Sequence, residues 1–184
     1  MVVRQKKRNF AEEESEEAAA SSFYILFMID KQELTACVEE AIAGTDMFLV
    51  DIRISKDNNI AVELDSMSGM DINECVAITR QIESRFDRDR EDYELEVGSA
   101  GLTTPFRVKQ QYVKNIGNPV EVLTKDGKKL HGVLTAVSDD FTSFTIEVEE
   151  KVKEPGKKRP TIVQTAVELP VDSTKYVKYL IQFK

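Results

Sequence analysis

The spacing of apolar residues changes once along this chain, and that change constrains its architecture most. Before residue 98, two segments with helical spacing are interleaved with three that alternate. After residue 118 only alternation is left. The change falls within YELEVGSAGLTTPFR, Tyr93 to Arg107. Tyr93, Leu95 and Val97 alternate with Glu94 and Glu96 as a strand, and the small residues Gly98, Ser99, Ala100 and Gly101 follow. Pro105 then rules out further ladder pairing. The stretch reads as the last strand of one unit and the approach to a second, with Gly98, Ser99, Gly101 and Pro105 as the interdomain joint.

The first unit, residues 28–107, has the order α-β-β-α-β. Lys31 to Ala43 reads as a helix. Asp30 and Glu33 form a capping-box-like start, and Gly44 is the stop. Leu34, Cys37, Val38, Ala41 and Ile42 share one face. Phe48 to Ser55 and Ile60 to Leu64 alternate around the turn residues Lys56-Asp57-Asn58-Asn59, which predicts a hairpin. Asp71 caps a second helix from Ile72 to about Phe86, whose expected stripe is Ile72, Cys75, Val76, Thr79, Ile82 and Phe86. So small a sheet must lay one face on the two helices.

Residues 108–118 read as a linker with a short helix over Val108 to Ile116, ended by Gly117-Asn118-Pro119. From residue 119 to 184 five strands are predicted: around Val120 and Val122, then Leu130 to Val137, Phe144 to Val148, Ile162 to Leu169 and Val177 to Phe183. Asp126-Gly127 and Ser138-Asp139-Asp140 are turns, and Lys153 to Pro160 is a polar loop. Five short strands so close together predict a small barrel, since closure removes exposed edges. The fold class is therefore α+β: a KH-like order followed by a five-stranded β-barrel.

Residues 1–27 are low in complexity, basic and then Glu-rich, with no apolar face to bury, and are expected to be a disordered extension. Met28 stands just before the first clean helix signal and is expected to be the native start; the mass of the natively expressed protein decides this. The longest apolar run, Phe23 to Ile29, holds seven residues, far short of a membrane helix, and follows an acidic cluster rather than a basic one. A cytoplasmic protein without membrane contact is expected. Cys37 and Cys75 sit among apolar helix positions and read as buried free thiols. One histidine and no CxxC pair leave little to build a metal site, so no cofactor is expected.

The net charge of −8 is unevenly spread. Residues 30–92 carry 7 basic and 16 acidic groups, whereas residues 93–184 carry 14 and 12. Two basic groups stand out in the second unit: Lys125, Lys128 and Lys129 around the Asp126-Gly127 turn, and Lys157, Lys158 and Arg159 in the polar loop. Each alone could be a solubilising loop. Two on one small barrel suggest a phosphate footprint. Neither has interleaved aromatics, so backbone contacts are favoured over base reading.

Catalytic readings do not survive inspection of the spacing. A phosphate loop needs lysine then Ser or Thr after the second glycine, where Leu102-Thr103 stands. A nucleophile elbow needs a different glycine spacing. Gly98 and Gly101 spell the GxxG of KH domains, but they follow a strand instead of joining two helices. They read as packing and turn residues. His131 has no nucleophile near it in sequence and reads as an ordinary strand histidine.

Taken together, the central stretch resembles the ribosome maturation factor RimP family, whose first domain ends in a motif close to Y-x-L-E-V-S-S-P-G-L-x-R-P. This chain has Tyr93, Leu95, Glu96, Val97, Ser99, Gly101, Leu102 and Pro105 in matching places; Asp71, Cys75, Arg80, Ile82 and Phe86-Asp87 fit upstream. Gly98, Ala100 and Thr104 depart from it, which predicts a looser joint and a family arginine contact either lost here or passed to Arg107. The resemblance covers roughly residues 28–184. It implies an SH3-like, Sm-like barrel as the second domain. It also implies a monomeric, non-enzymatic factor that binds the immature small (30S) ribosomal subunit transiently, touching ribosomal RNA and a basic ribosomal protein near the decoding region. Arg107, Lys125, Lys128, Lys129, Lys157, Lys158 and Arg159 are the expected RNA-facing residues. A KH-like or Sm-like regulator of free RNA is the competing reading.

Overall fold

The computed structural model describes residues 29–88, 92–152 and 161–181. The expected extension, the Met28 start and the Lys157, Lys158 and Arg159 cluster lie outside the described residues.

The first unit comprises helix α1 (Lys31–Ile42), strands β1 (Met47–Ile54) and β2 (Asn59–Ser66), helix α2 (Ile72–Arg85) and strand β3 (Glu94–Ser99). The hairpin pairs β1 antiparallel to β2, and β3 joins β2 in parallel after the α2 crossover, giving the order β1-β2-β3. Asp30 caps α1 by accepting from the backbone N–H groups of Gln32 (2.8 Å) and Glu33 (2.9 Å). The reciprocal half of a capping box forms only on α2, where Glu74 accepts from the N–H of Asp71. Glu33 instead faces Arg85 on α2, 3.6 Å away. Gly44, at φ +78°, ends the first helical segment.

Leu34, Cys37, Val38 and Ile42 of α1 pack on Ile52, Ile60, Val62 and Leu64 of the sheet. The α2 stripe differs from expectation. Ile78 and Ile82 are its buried residues, while Ile72 is 77% exposed and Val76 42%. Counting back from Ile82 at about 100° per residue, Cys75, Ile78, Thr79 and Phe86 fall within about 60° of it. Ile72 and Val76 lie about 80–120° away, on the shoulder. Tyr93, buried just before β3, donates its hydroxyl to the Phe86 carbonyl at 2.7 Å and closes that end of the core. Asn58, at φ 58° in the hairpin turn, donates its side-chain amide to the Asp92 carbonyl, so the turn and the start of β3 are tied together.

The second unit comprises α3 (Lys109–Lys114), β4 (Pro119–Thr124), β5 (Lys129–Val137), β6 (Ser143–Val152), β7 (Thr161–Pro170), one 3-10 turn and β8 (Thr174–Tyr179). All five strands are antiparallel neighbours in the order β7-β6-β5-β4-β8. The last strand begins earlier than alternation suggested, because the register with β4 extends back to Thr174. The expected closure does not appear: β7 and β8 are the two sheet edges, with no ladder between them among the described residues. The β5 and β6 backbones come close at Gly132. A Cβ there would lie 2.4 Å from the Glu147 carbonyl oxygen, so only glycine lets β5 approach β6 this closely.

The core of this sheet is Val120, Val122, Leu134, Phe144, Ile146 and Val177, and Tyr112 of α3 plugs it. The Tyr112 ring meets Phe106, Phe141 and Phe144 at centroid distances of 5.3, 5.1 and 5.4 Å, the first two edge-on. Burial pushes its phenol up to about 12. Phe106 also donates its N–H to the Val177 carbonyl at 2.7 Å, on the edge of β8 opposite β4. The short helix is thus part of the second unit's core.

The two core assignments are separable by mutation. Leu34→Ala and Ile82→Ala should each lower the free energy of unfolding by about 2–5 kcal/mol, whereas Ile72→Ala should change it by no more than about 0.5 kcal/mol. Urea unfolding of the three variants measures both, and an Ile72 effect as large as that of Ile82 would restore the expected stripe.

Candidate nucleic-acid interface and interdomain junction

The sheet of the first unit has a helix-covered face and an opposite face. On the opposite face Asp51 and Glu63 stand directly across from each other on β1 and β2. Like charges in that position destabilise a sheet. Arg53 lies on the same face and contacts both carboxylates. The other cation comes from beyond the joint: Arg107 pairs with Asp51 and reaches Glu63 at 3.4 Å. Lys114 of α3 meets Asp65 at 2.7 Å, with Asp65 only 15% exposed. Gln111 supports the arrangement by accepting from the N–H groups of Arg107 and Val108. Arg107 is therefore engaged with carboxylates of the first unit. It fastens the two units together.

The small-residue loop borders this junction. Gly98 lies inside β3 opposite Glu63, and neither it nor Gly101 has positive φ. Nothing lies within 4 Å of where a Cβ on Gly98 would stand. The Ala100 N–H donates to the Leu64 carbonyl at 2.8 Å, so the chain stays strand-like one residue past β3. Ser99, Gly101, Leu102 and Thr104 line one wall of a cleft of about 250 Å³, with Gln111 and Lys114 on the other. Pro105 passes the chain to Phe106, which is held on β8.

The turn lysines occupy the β4–β5 hairpin. Gly127 has φ +91°, and Thr124 accepts from the Lys128 N–H at 3.0 Å while donating to Asp126. That bond holds the Asp126 carboxyl below its usual range. Lys125 and Lys128 are exposed. Lys129 is the first residue of β5 and belongs to a larger arrangement on the outer face of the sheet. There Glu121, in the middle of β4, lies between His131 on β5 and Lys178 on β8. One step along, Leu123 lies between Lys129 and Tyr176.

Glu121 is almost covered, its side chain 10% exposed. Its Oε1 accepts from the Tyr176 hydroxyl at 2.8 Å and lies 3.4 Å from Lys178 Nζ. Its Oε2 lies 3.0 Å from His131 Nε2 and 3.4 Å from Lys129 Nζ. The Tyr176 hydrogen bond, followed by those of His131 and the lysines, brings the Glu121 carboxyl down to about 2. Lys129 is raised in turn, chiefly by its bond to Glu121. Lys178 also lies 5.3 Å from the centre of the Tyr176 ring.

Tyr176, Lys178, His131 and the buried role of Glu121 are absent from the sequence-derived site. The signal for them was register. Once Val122 is paired with Val177, the neighbours Glu121 and Lys178 must share the outer face, and an aromatic sits beside the lysines after all.

The RimP N-terminal domain family model matches residues 37–103. The ribosome maturation factor RimP of Porphyromonas gingivalis is 44% identical over 132 residues, covering 72% of this chain and 86% of that protein. The chain belongs to the ribosome maturation factor RimP family. The RimP proteins of Christiangramia forsetii and Flavobacterium psychrophilum are 36% and 34% identical, over 90% and 88% of their lengths. Among solved structures, a heptameric archaeal Sm protein matches 39% of this chain at 15% identity and a TM-score of 0.29. A score that low carries neither fold nor ring over to this member of the RimP family.

The depressed carboxyl of Glu121 makes a pH prediction. A carboxylate whose folded value lies below its unfolded one stabilises the fold above the unfolded value. That contribution fades as pH falls through the folded value. The stability difference between the parent and Glu121→Gln should therefore be full at neutral pH and shrink from about pH 4.5 towards about pH 2. Thermal unfolding across that range measures it, and a difference that stays constant to pH 2 would contradict the ion cluster.

Proposed function

We propose that this chain is a non-catalytic assembly factor for the small (30S) ribosomal subunit, which binds the immature particle transiently in the cytoplasm and acts as a monomer. Membership of the RimP family carries the reading; the 44% identity to a protein named for ribosome maturation spans most of that protein. Ribosomal RNA and a basic ribosomal protein near the decoding region are the proposed partners. The SH3-like, Sm-like barrel is the proposed limiting form of the five-stranded sheet.

Charge placement supports the division of labour. The exposed lysines of the β4–β5 turn suit RNA phosphates, as do Lys157, Lys158 and Arg159 on sequence grounds. The helical face of the first unit keeps a carboxylate excess: Glu33, Glu39, Glu40, Glu74 and Glu83 against Lys31, Arg80 and Arg85. That face suits a basic protein. The opposite acidic face is already met by Arg107 and Lys114.

Fractionation of a cell lysate tests the proposal. The protein should sediment with free small subunits and not with whole ribosomes. Charge reversal of Lys125, Lys128 and Lys129 together should weaken that association at least about tenfold and flatten its salt dependence by about 0.7–0.9 per lost phosphate contact. Protein left at the top of the gradient at low salt would favour the free-RNA regulator instead.

A further inference from the structure

We infer that the outer face of β5-β4-β8 is a phosphodiester-binding site for single-stranded RNA. Lys129, His131 and Lys178 are its binding groups and Glu121 is a positioning residue beneath them. The inference rests on the RNA-contacting reading above and extends it from one turn lysine, Lys129, across the outer face of the sheet to Lys178.

Desolvation carries the first part of the argument. A carboxylate at the centre of three strands, 10% exposed, loses most of its hydration, and apolar groups of similar size commonly serve stability at least as well. The sheet does not need a charge there. What Glu121 does supply is order. Its two oxygens meet four side chains on the two flanking strands, Lys129 and His131 on β5 and Tyr176 and Lys178 on β8, which accounts for its acceptor capacity. Each lysine offers three donors, of which Glu121 takes one. Lysine side chains normally lose much rotamer freedom on binding an anion; these two are already restrained.

Charge carries the second part. From solvent the cluster presents its nitrogen donors, because Lys129 and His131 are each 53% exposed and Lys178 33%, while the carboxylate lies underneath. The two lysines against one carboxylate give an excess of one positive charge, and Lys125 and Lys128 adjoin it at the end of the same hairpin. On the far side of β5, Glu147 pairs in register with Val133. That carboxylate disfavours a path for an anionic strand across β6 and leaves the β4–β8 side open. With strands about 4.8 Å apart, β5 and β8 lie roughly 10 Å from each other. Lys129 and Lys178 can thus engage successive parts of one backbone.

Titration of the full chain with a fluorescent oligouridylate at several salt concentrations tests the site. The double variant Lys129→Gln, Lys178→Gln should bind about tenfold more weakly and lower the salt slope by about 1.4, at about 0.7 per single-strand phosphate contact. Lys178→Arg should bind like the parent. Lys175→Gln, the same charge change on the same strand but off this face, should have the smaller effect. Glu121→Gln separates positioning from charge counting: it makes the protein more positive, yet it should bind about threefold or more weakly. Circular dichroism checks each fold, and if the double variant is unfolded, Lys178→Gln alone should show half the slope change. A double variant no weaker than Lys175→Gln overturns the site, and Glu121→Gln binding as tightly as the parent overturns the positioning role. The parent's sedimentation with small subunits is scored separately. If the parent sediments with them while these variants bind oligouridylate normally, the site is wrong and the maturation role stands. If it does not sediment, that role fails and the oligouridylate series still judges the site.

Discussion

Two carboxylates facing each other on neighbouring strands need cations, and in this protein the need is met partly from outside the unit that creates it. Asp51 and Glu63 are opposite in register on the open face of the first sheet. Arg53 supplies one local countercharge, and Arg107 supplies the other from beyond the joint. An exposed ion pair contributes only about 0.2–1 kcal/mol. Its weight here is positional, because Arg107 is adjacent to Phe106, which is fixed to β8, and Lys114 makes a second, less exposed pair with Asp65 from the same short helix that inserts Tyr112 into the second core. One segment of about ten residues therefore packs into one unit and pairs with the other. Gly98 does not set this arrangement: it is an ordinary strand position with room for a side chain. The looser joint expected at Gly98 and Ala100 finds no support in their geometry.

The second unit places charge by the same logic on a smaller scale. Its inner face is apolar and closed by aromatic contacts, so polar groups are forced outward, and strand register decides which of them meet. Glu121, His131 and Lys178 fall in one row, Lys129 and Tyr176 in the next. A covered carboxylate surrounded by four donors follows, with its titration brought down to about 2. Gly132 contributes at a distance, since its missing side chain lets the β6 backbone lie close.

What was legible in the sequence was local. The α1 stripe, the Asp71 cap, the hairpin turn at Asn58 and the Asp126-Gly127 turn depend on residues a few positions apart, and each is found in the structure. The α2 stripe differs because apolar content does not dictate burial: Ile72 and Val76 border the stripe, but no described element covers them. The turn lysines were visible as a run. Lys178 and Tyr176 were not, because they join Lys129 through a strand pairing more than 40 residues long in sequence separation. Arg107 is expected from the sequence to face RNA; its carboxylate partners are 44 and 56 residues away, and no local pattern points to them.

The net charge of −8 would seem to oppose any contact with RNA, and the structure explains why it need not. Asp51, Glu63, Asp65 and Glu121 each face at least one cation within the protein. Their fields are largely cancelled at short range. The remaining carboxylate excess lies on the helices of the first unit, across its sheet from the junction. At physiological salt, interactions between exposed charges are largely screened beyond about 8 Å. A phosphate approaching the outer face of β5-β4-β8 is governed by Lys129, Lys178 and the adjoining turn, while the acidic helices act on a different surface. Total charge is thus a poor guide to partner choice in a chain of this kind; the relevant quantity is which carboxylates already have a cation and which lysines are still able to accept a second partner.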